Sequence, residues 1–258
     1  MAECLIALGS NLGDRAANLR RALGLVAAAP QTQLLARSAW HETAPVGGPA
    51  GQGAYLNAAA LIETLLTPAA LGRELQAIES QLGRQRTQRW DARTIDLDLA
   101  LYGDVALATA ELTIPHPRMH YRRFVLAPAA EVAPWMVHPE CRWTIARLLG
   151  QLDAVDDIAV AAVDPHLGDS LVERLERHFE LTASQPPRVR AWSAETAGRR
   201  PKLILAAVTT GSGAADARKM LQLPASGPVA WLAGADADAM FGEALAVVGS
   251  ARPARANH

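Results

Sequence analysis

Apolar positions along the first 152 residues switch between the period of a strand and that of a helix. Residues 4–9 form a short apolar run that predicts a buried strand, broken by the turn-rich stretch Gly9-Ser10-Asn11-Leu12-Gly13. Asp14 then has the chemistry of an N-cap, and Ala16, Leu19, Leu23 and Val26 recur at helical spacing up to Pro30. An extended run over residues 34–43 gives way to a Gly/Pro-rich stretch, 44–54, that is too long for a tight hairpin and reads as a mobile loop. Strand character resumes over 55–63. Thr67-Pro68 predicts a helix start, with a capping hydroxyl followed by proline at the first helical position. Leu71, Leu75, Ile78 and Leu82 supply the stripe of that helix, and Gly83 ends it. Residues 93–102 give the clearest strand, in which Ile95, Leu97, Leu99 and Leu101 alternate with Thr94, Asp96, Asp98 and Ala100. A short helix is expected from about Tyr121 and another over 144–149. The order strand, helix, strand, strand, helix, strand predicts an α+β fold, a ferredoxin-like α/β sandwich with a βαββαβ core.

Beyond Leu152 the texture changes. Strands are expected over 158–163, 203–208 and 229–233, and helices over 170–179, 214–221 and 238–248. That alternation predicts a second, smaller α/β domain, so the expected division is 1–152 and 153–258. The turn Thr209-Thr210-Gly211-Ser212-Gly213 could rest a phosphate on backbone N–H groups or be an ordinary βα connection.

Composition narrows the picture. Half of the 258 residues are hydrophobic, which excludes a disordered chain. No run approaches the roughly 18 apolar residues of a membrane span. The first eight residues lack the basic region of a signal peptide, and two cysteines are too few for a disulfide framework. A cytoplasmic protein with reduced thiols and no membrane partner is expected. The formal net charge is −1, without the basic excess of a broad nucleic-acid surface. Lysine is confined to Lys202 and Lys219, which reads as a compositional bias rather than a function.

Asp96-Leu97-Asp98 is the sharpest chemical feature. On a strand the two carboxylates share a face about 6.5 Å apart, and they repel by about 2.5 kcal/mol at an effective dielectric of about 20. A positive partner is therefore expected between them, and Mg²⁺, which takes carboxylate, water and phosphate oxygens, suits the donors. A solvated acidic strand edge is the alternative. Arg84, Arg86, Arg89 and Arg93, with Trp90 among them, directly precede the pair. Guanidinium forks beside a carboxylate metal site are what a polyphosphate needs, whereas an RNA-binding loop would gain nothing from the acids. His116, between Pro115 and Pro117, could be a site residue or merely structural, and the glycines at 47, 48, 51 and 53 a lid or an indifferent loop.

Several segments, in order, resemble the 6-hydroxymethyl-7,8-dihydropterin pyrophosphokinases of folate biosynthesis. They are Leu8-Gly9-Ser10-Asn11-Leu12-Gly13, Thr43-Ala44-Pro45-Val46-Gly47, Tyr55-Leu56-Asn57-Ala58, and Gln76 with Glu79. The stretch from Arg89 to Asp98, Pro115-His116-Pro117-Arg118-Met119 and Arg122-Arg123-Phe124-Val125-Leu126 complete the series. The resemblance implies transfer of pyrophosphate from ATP to the pterin alcohol, giving AMP. It implies two Mg²⁺ ions on Asp96 and Asp98, and Arg84 and Arg93 on the transferring group. Gln76, Glu79, Arg86, Arg89, Trp90, Leu99, Thr113, His116 and Arg122 would contact ATP. The pterin would stack between Tyr55 and Phe124 and be read by Asn57 and by the backbone near Thr43, Pro45 and Val46. The family usually has Gly-Pro where this chain has Asp91-Ala92. The partners expected are thus two small-molecule substrates. Another Mg-dependent nucleotidyl or phosphoryl transferase, or a non-catalytic nucleotide- or RNA-binding module, are the competing readings. No family resemblance extends to 153–258.

Overall fold

The computed structural model describes residues 1–46, 51–84, 93–154, 157–183, 185–193, 201–208, 214–225, 227–232, 234 and 236–252. Contacts divide the described chain into two units, Met1–Leu149 and Gly150–Arg252.

The first unit begins with β1 (Ala2–Ser10), α1 (Arg15–Ala28), β2 (Thr32–Arg37), β3 (His41–Thr43) and β4 (Tyr55–Thr64). It continues with α2 (Pro68–Gln81), β5 (Asp96–Tyr102) and the two-residue strands β6 (Leu107–Ala108) and β7 (Thr113–Ile114). A 3-10 turn, Met119–Tyr121, then leads into α3 (Arg123–Val132), and α4 (Ile145–Ala154) runs across the boundary between the units. Local chemistry sets the helix ends. The Asp14 carboxylate accepts the Ala17 N–H at 2.9 Å and the Thr67 hydroxyl accepts that of Ala70 at 3.3 Å. Gly83, with φ +82, turns the chain away after α2 in a conformation that costs glycine little.

The sheet is antiparallel in the order β2-β4-β1-β5, with β3 pairing on β4. Its central strand β1 is matched to β4 from Ala2↔Thr64 to Ser10↔Leu56. One face is covered by α1 and α2: Leu19, Leu23, Val26, Leu71, Leu75 and Ile78 pack with Ile6, Leu8, Ile62, Leu97 and Leu99. α3 packs against β4, β3 and β1.

Three local departures from the sequence expectation have physical causes. The extended run over 34–43 is two strands, because the Ser38 hydroxyl accepts the Ala59 N–H at 2.9 Å and replaces a regular ladder contact. β5 begins at Asp96 rather than Arg93, since residues 93 and 94 bond to Asn11 and Ser10 instead. α4 extends past 149 to Ala154.

In the second unit, β8 (Asp157–Ala162), α5 (Pro165–Thr182), β9 (Arg188–Ala191), β10 (Leu203–Ala207), α6 (Ala214–Met220), β11 (Val229–Leu232) and α7 (Ala237–Ala251) follow in order. Its strands form a parallel sheet ordered β11-β10-β8-β9. β10 is buried throughout, as expected of a parallel strand covered on both faces. β9 was not anticipated: four residues carry too little pattern to be read as a strand. Cys4 and Cys141 are buried thiols that are not joined in a disulfide. No described helix is long and apolar enough to cross a membrane.

Candidate active site

Asp96 and Asp98 occupy alternate positions at the start of β5. Their neighbours Leu97 and Leu99 belong to the core under α1 and α2, so the carboxylates stand on the opposite face. Gly9 of β1 is paired with Asp96 on one side and with Asn57 of β4 on the other. Strands lie about 4.8 Å apart, so the Asn57 amide and the Asp96 carboxylate emerge about 10 Å apart with only glycine between them. Residues distant in sequence thus meet on one sheet face.

Both oxygens of Asp96 are engaged. Oδ1 pairs with Arg84 at 2.8 Å, and Oδ2 accepts from Arg93. Arg84 also pairs with Glu79 of α2, which is only 3% exposed and whose Oε1 accepts the Leu97 N–H at 2.7 Å. Burial pushes the Glu79 carboxyl up, while the Leu97 N–H and Arg84 pull it down. Burial, and then the charge of Asp96, push Asp98 up to about 7. The Arg122 and Arg93 guanidinia act in the opposite sense on it. His116 has its Nε2 3.8 Å from Asp98 Oδ2, and burial followed by Arg122 pulls its imidazole down to about 4. His116 is therefore neutral near pH 7 and is no counter-ion for Asp98. Its position is fixed by its own N–H, which donates to Ala100 O at 3.0 Å.

Asn11 and Ser10 carry no signal of their role in the sequence pattern. Asn11 Oδ1 accepts the Arg93 N–H at 2.6 Å, its own N–H donates to Arg93 O at 3.1 Å, and the Ser10 hydroxyl donates to Thr94 O at 2.6 Å. The last residue of β1 and the one after it thereby fix the backbone that presents Arg93. The sequence shows only a pair of polar side chains at a strand end.

On the other side of Gly9, Tyr55 is paired in register with Thr43, and Asn57 Nδ2 donates to Thr43 Oγ1 at 2.8 Å. Burial raises the Tyr55 phenol, while Arg93 lowers it and Asp96 raises it, so the ring lies within electrostatic reach of both. Phe124 opens α3, with the Arg122 guanidinium 5.4 Å from its ring centre. Pro45 and Val46 follow β3 and are half-buried. Gln76 is exposed on α2 one turn before Glu79, and Thr113 lies half-buried on β7. Leu99 is buried in the core, which leaves only its backbone for contact with a ligand on the acidic face. Arg86, Arg89, Trp90, Asp91, Ala92, Gly47 and Gly48 lie outside the described residues, as do Thr209 to Gly213.

No group of three or more His, Cys, Asp or Glu among the described residues is arranged to hold a metal ion. Among the described residues, the carboxylates at the start of β5 are those of Asp96, whose oxygens are paired with Arg84 and Arg93, and of Asp98.

The description of the 7,8-dihydro-6-hydroxymethylpterin-pyrophosphokinase family matches residues 5–134. A 2-amino-4-hydroxy-6-hydroxymethyldihydropteridine pyrophosphokinase of Synechocystis is 41% identical over 169 residues, which cover 65% of this chain and 84% of the relative. The chain belongs to the 7,8-dihydro-6-hydroxymethylpterin-pyrophosphokinase family. Relatives of the same description from Haemophilus influenzae and Bacillus subtilis are 44% and 46% identical, covering 54% and 49% of this chain and 86% and 75% of theirs. A solved HPPK-DHPS in complex with substrates aligns at 11% identity and a TM-score of 0.45, over 74% of this chain and 57% of that one. This chain thus spans less than two thirds of that protein. As a pyrophosphokinase of this family, the enzyme moves a pyrophosphoryl group from ATP to hydroxymethyldihydropterin in folate biosynthesis.

Proposed function

We propose that the acidic face of β5 is where ATP is held and the pocket beside Asn57 is where the pterin is read. The observation that carries this reading is the convergence of Arg84 and Arg93 on Asp96, one strand step from Asp98. Asp96 and Asp98 would hold two Mg²⁺ ions. The fit is chemical: two hard oxygen donors share one strand face, and burial followed by the charge of Asp96 pushes Asp98 up to about 7, which a divalent cation between them would offset. When bound, magnesium would neutralise phosphate charge and lower the pKa of the pterin hydroxyl.

The chain's own groups do the rest by position. Arg84 and Arg93 are fixed by Glu79 and Asn11 and can turn their forks from Asp96 to phosphate oxygens, stabilising charge as it moves to the AMP leaving group. His116, neutral, can donate or accept one hydrogen bond without adding charge. Arg122, with Gln76, Glu79, Arg86, Arg89, Trp90, Thr113 and the backbone of Leu99, would complete the nucleotide contacts. Tyr55 and Phe124 would sandwich the flat heterocycle, and the Asn57 amide, anchored on Thr43, would both donate to and accept from its polar edge. With the hydroxyl aligned on the β-phosphorus, proximity accounts for much of the rate. No side chain here is assigned as general base.

The sheet order β2-β4-β1-β5 with α1 and α2 on one face supports reading residues 1–152 as a ferredoxin-like pyrophosphokinase domain. We take the enzyme to be cytoplasmic, with small-molecule partners and neither nucleic acid nor membrane among them. No role in the reaction is assigned to 153–258. Chromatography of the nucleotide product tests the reaction: AMP is expected for each pterin consumed, and ADP would overturn the assignment.

A further inference from the structure

β3 is held in place by a contact that the chemistry above does not use. The strand has three residues, pairs among the described residues with β4 alone and follows a break at 38–40. So short an edge strand gains few ladder bonds, and a slip of one residue would turn His41 and Thr43 to the other face. Thr43 nevertheless keeps its hydroxyl 2.8 Å from Asn57 Nδ2 and its backbone opposite Tyr55.

Glu131, on the last turn of α3, supplies the restraint. Oε2 accepts the Ala39 N–H at 2.7 Å, and Oε1 lies 2.6 Å from His41 Nε2. One carboxylate therefore grips the lead-in to β3 and its first residue together. The Ala39 N–H is also the largest cause holding the Glu131 carboxyl below its ordinary range. Phe124 precedes Glu131 by seven residues, two turns or about 10.5 Å along the same side of the helix. The helix thus carries at one end the ring proposed to cover the pterin and at the other the group that grips β3. Glu42, between His41 and Thr43, points to the other face, where Arg15 of α1 donates to Glu42 Oε2 at 2.9 Å and to Ala54 O at 2.7 Å.

We propose that Glu131 is a positioning residue for the pterin pocket: by tying Ala39 and His41 to α3, it sets the distance from Thr43 and Asn57 to Phe124. The inference rests on the reading that the pterin lies between Tyr55 and Phe124 and is read by Asn57.

The test uses the full chain and separate titrations with hydroxymethyl-dihydropterin and with Mg-ATP. Glu131→Ala is expected to weaken pterin binding about tenfold while leaving ATP affinity within about twofold. Glu131→Gln keeps an oxygen for the Ala39 N–H and an NH₂ beside the His41 ring nitrogen, and is expected to recover most of the loss. Should Glu131→Ala fail to fold, His41→Ala removes one of the two contacts and is expected to weaken pterin binding about threefold. Normal pterin affinity in Glu131→Ala, beside a weakened Asn57→Ala, overturns the positioning role and leaves the pocket standing. Normal pterin affinity in Asn57→Ala overturns the pocket reading itself, and the inference with it. Equal losses of pterin and ATP affinity, or no recovery in Glu131→Gln, would mark a general structural role and also overturn the proposal.

Discussion

A methyl group placed on Gly9 tests whether substrate bridges Asn57 and Asp96. Gly9 is paired with both residues and is the bare floor between them. A Cβ there would fall 3.3 Å from Asn57 Oδ1 and 3.8 Å from Tyr55 Cδ1. The second contact is ordinary, but the first is tighter than a relaxed carbon–oxygen contact, so the amide must give by a few tenths of an ångström. The backbone at Gly9 is not in the left-handed region, so alanine meets no conformational penalty. In a strand it is even favoured over glycine by roughly 0.5–1 kcal/mol. Gly9→Ala should therefore melt at the same or a slightly higher temperature. Its cost should fall on the pterin, because the displaced amide loses about one hydrogen bond, ~1 kcal/mol or about fivefold in affinity. Steady-state kinetics with the pterin varied at saturating ATP should show KM for pterin raised about fivefold or more, with KM for ATP within about twofold. An unchanged pterin KM in a folded variant would mean that the pterin does not lie over Gly9, and the reasoning from strand register would fail.

Two further outcomes are expected. His138 is 1% exposed, and burial, with His120 second, pulls its imidazole down to about 3. Against an unfolded value near 6.5, the stability it contributes is present above pH 6.5 and is lost as pH falls toward 3, about 2 kcal/mol of it by pH 5. Urea unfolding at pH 7.5 and 5.0 should show that loss, and His138→Asn, which keeps an acceptor for the Cys141 N–H, should be less pH-dependent by that amount; equal dependence in both refutes the assignment. A chain ending at Ala154 keeps every assigned site residue and all of α4, and should retain pyrophosphoryl transfer; a folded but inactive fragment would show that the second unit completes the site.

What local chemistry determines could be read from the chain, and what register determines could not. Asp14 before α1 and Thr67-Pro68 before α2 act within one helical turn, so both starts were legible. The alternation of Leu97 and Leu99 with Asp96 and Asp98 set the two faces of β5 from four residues. By contrast, the alignment of Asn57, Gly9 and Asp96 depends on three strands matched across the sheet, a relation no short window contains. The break at Ser38 arises from a hydroxyl that captures an N–H 21 residues away, and β6, β7 and β9 are too short for a period to show. Glu131 and Asn11 went unassigned for a similar reason: each acts on backbone groups remote in sequence, which leave no side-chain pattern. The Arg cluster and the acid pair stand out by density alone, yet the sharing of Asp96 by Arg84 and Arg93 is set by the fold.

The rate of AMP formation by Asp98→Ala, compared with the unaltered chain at pH 8, tests the account at its centre. The raised pKa of Asp98 means that its ionised form is unfavourable in the fold: stability present below pH 3.8 is lost as pH rises through about 7. Removing the carboxylate should therefore leave the protein at least as stable at pH 8, so lost activity would not reflect unfolding. With the acid pair broken, the rate should fall at least about a hundredfold. A folded Asp98→Ala that still makes AMP within about threefold of the normal rate would contradict the placement of the nucleotide tail on this face.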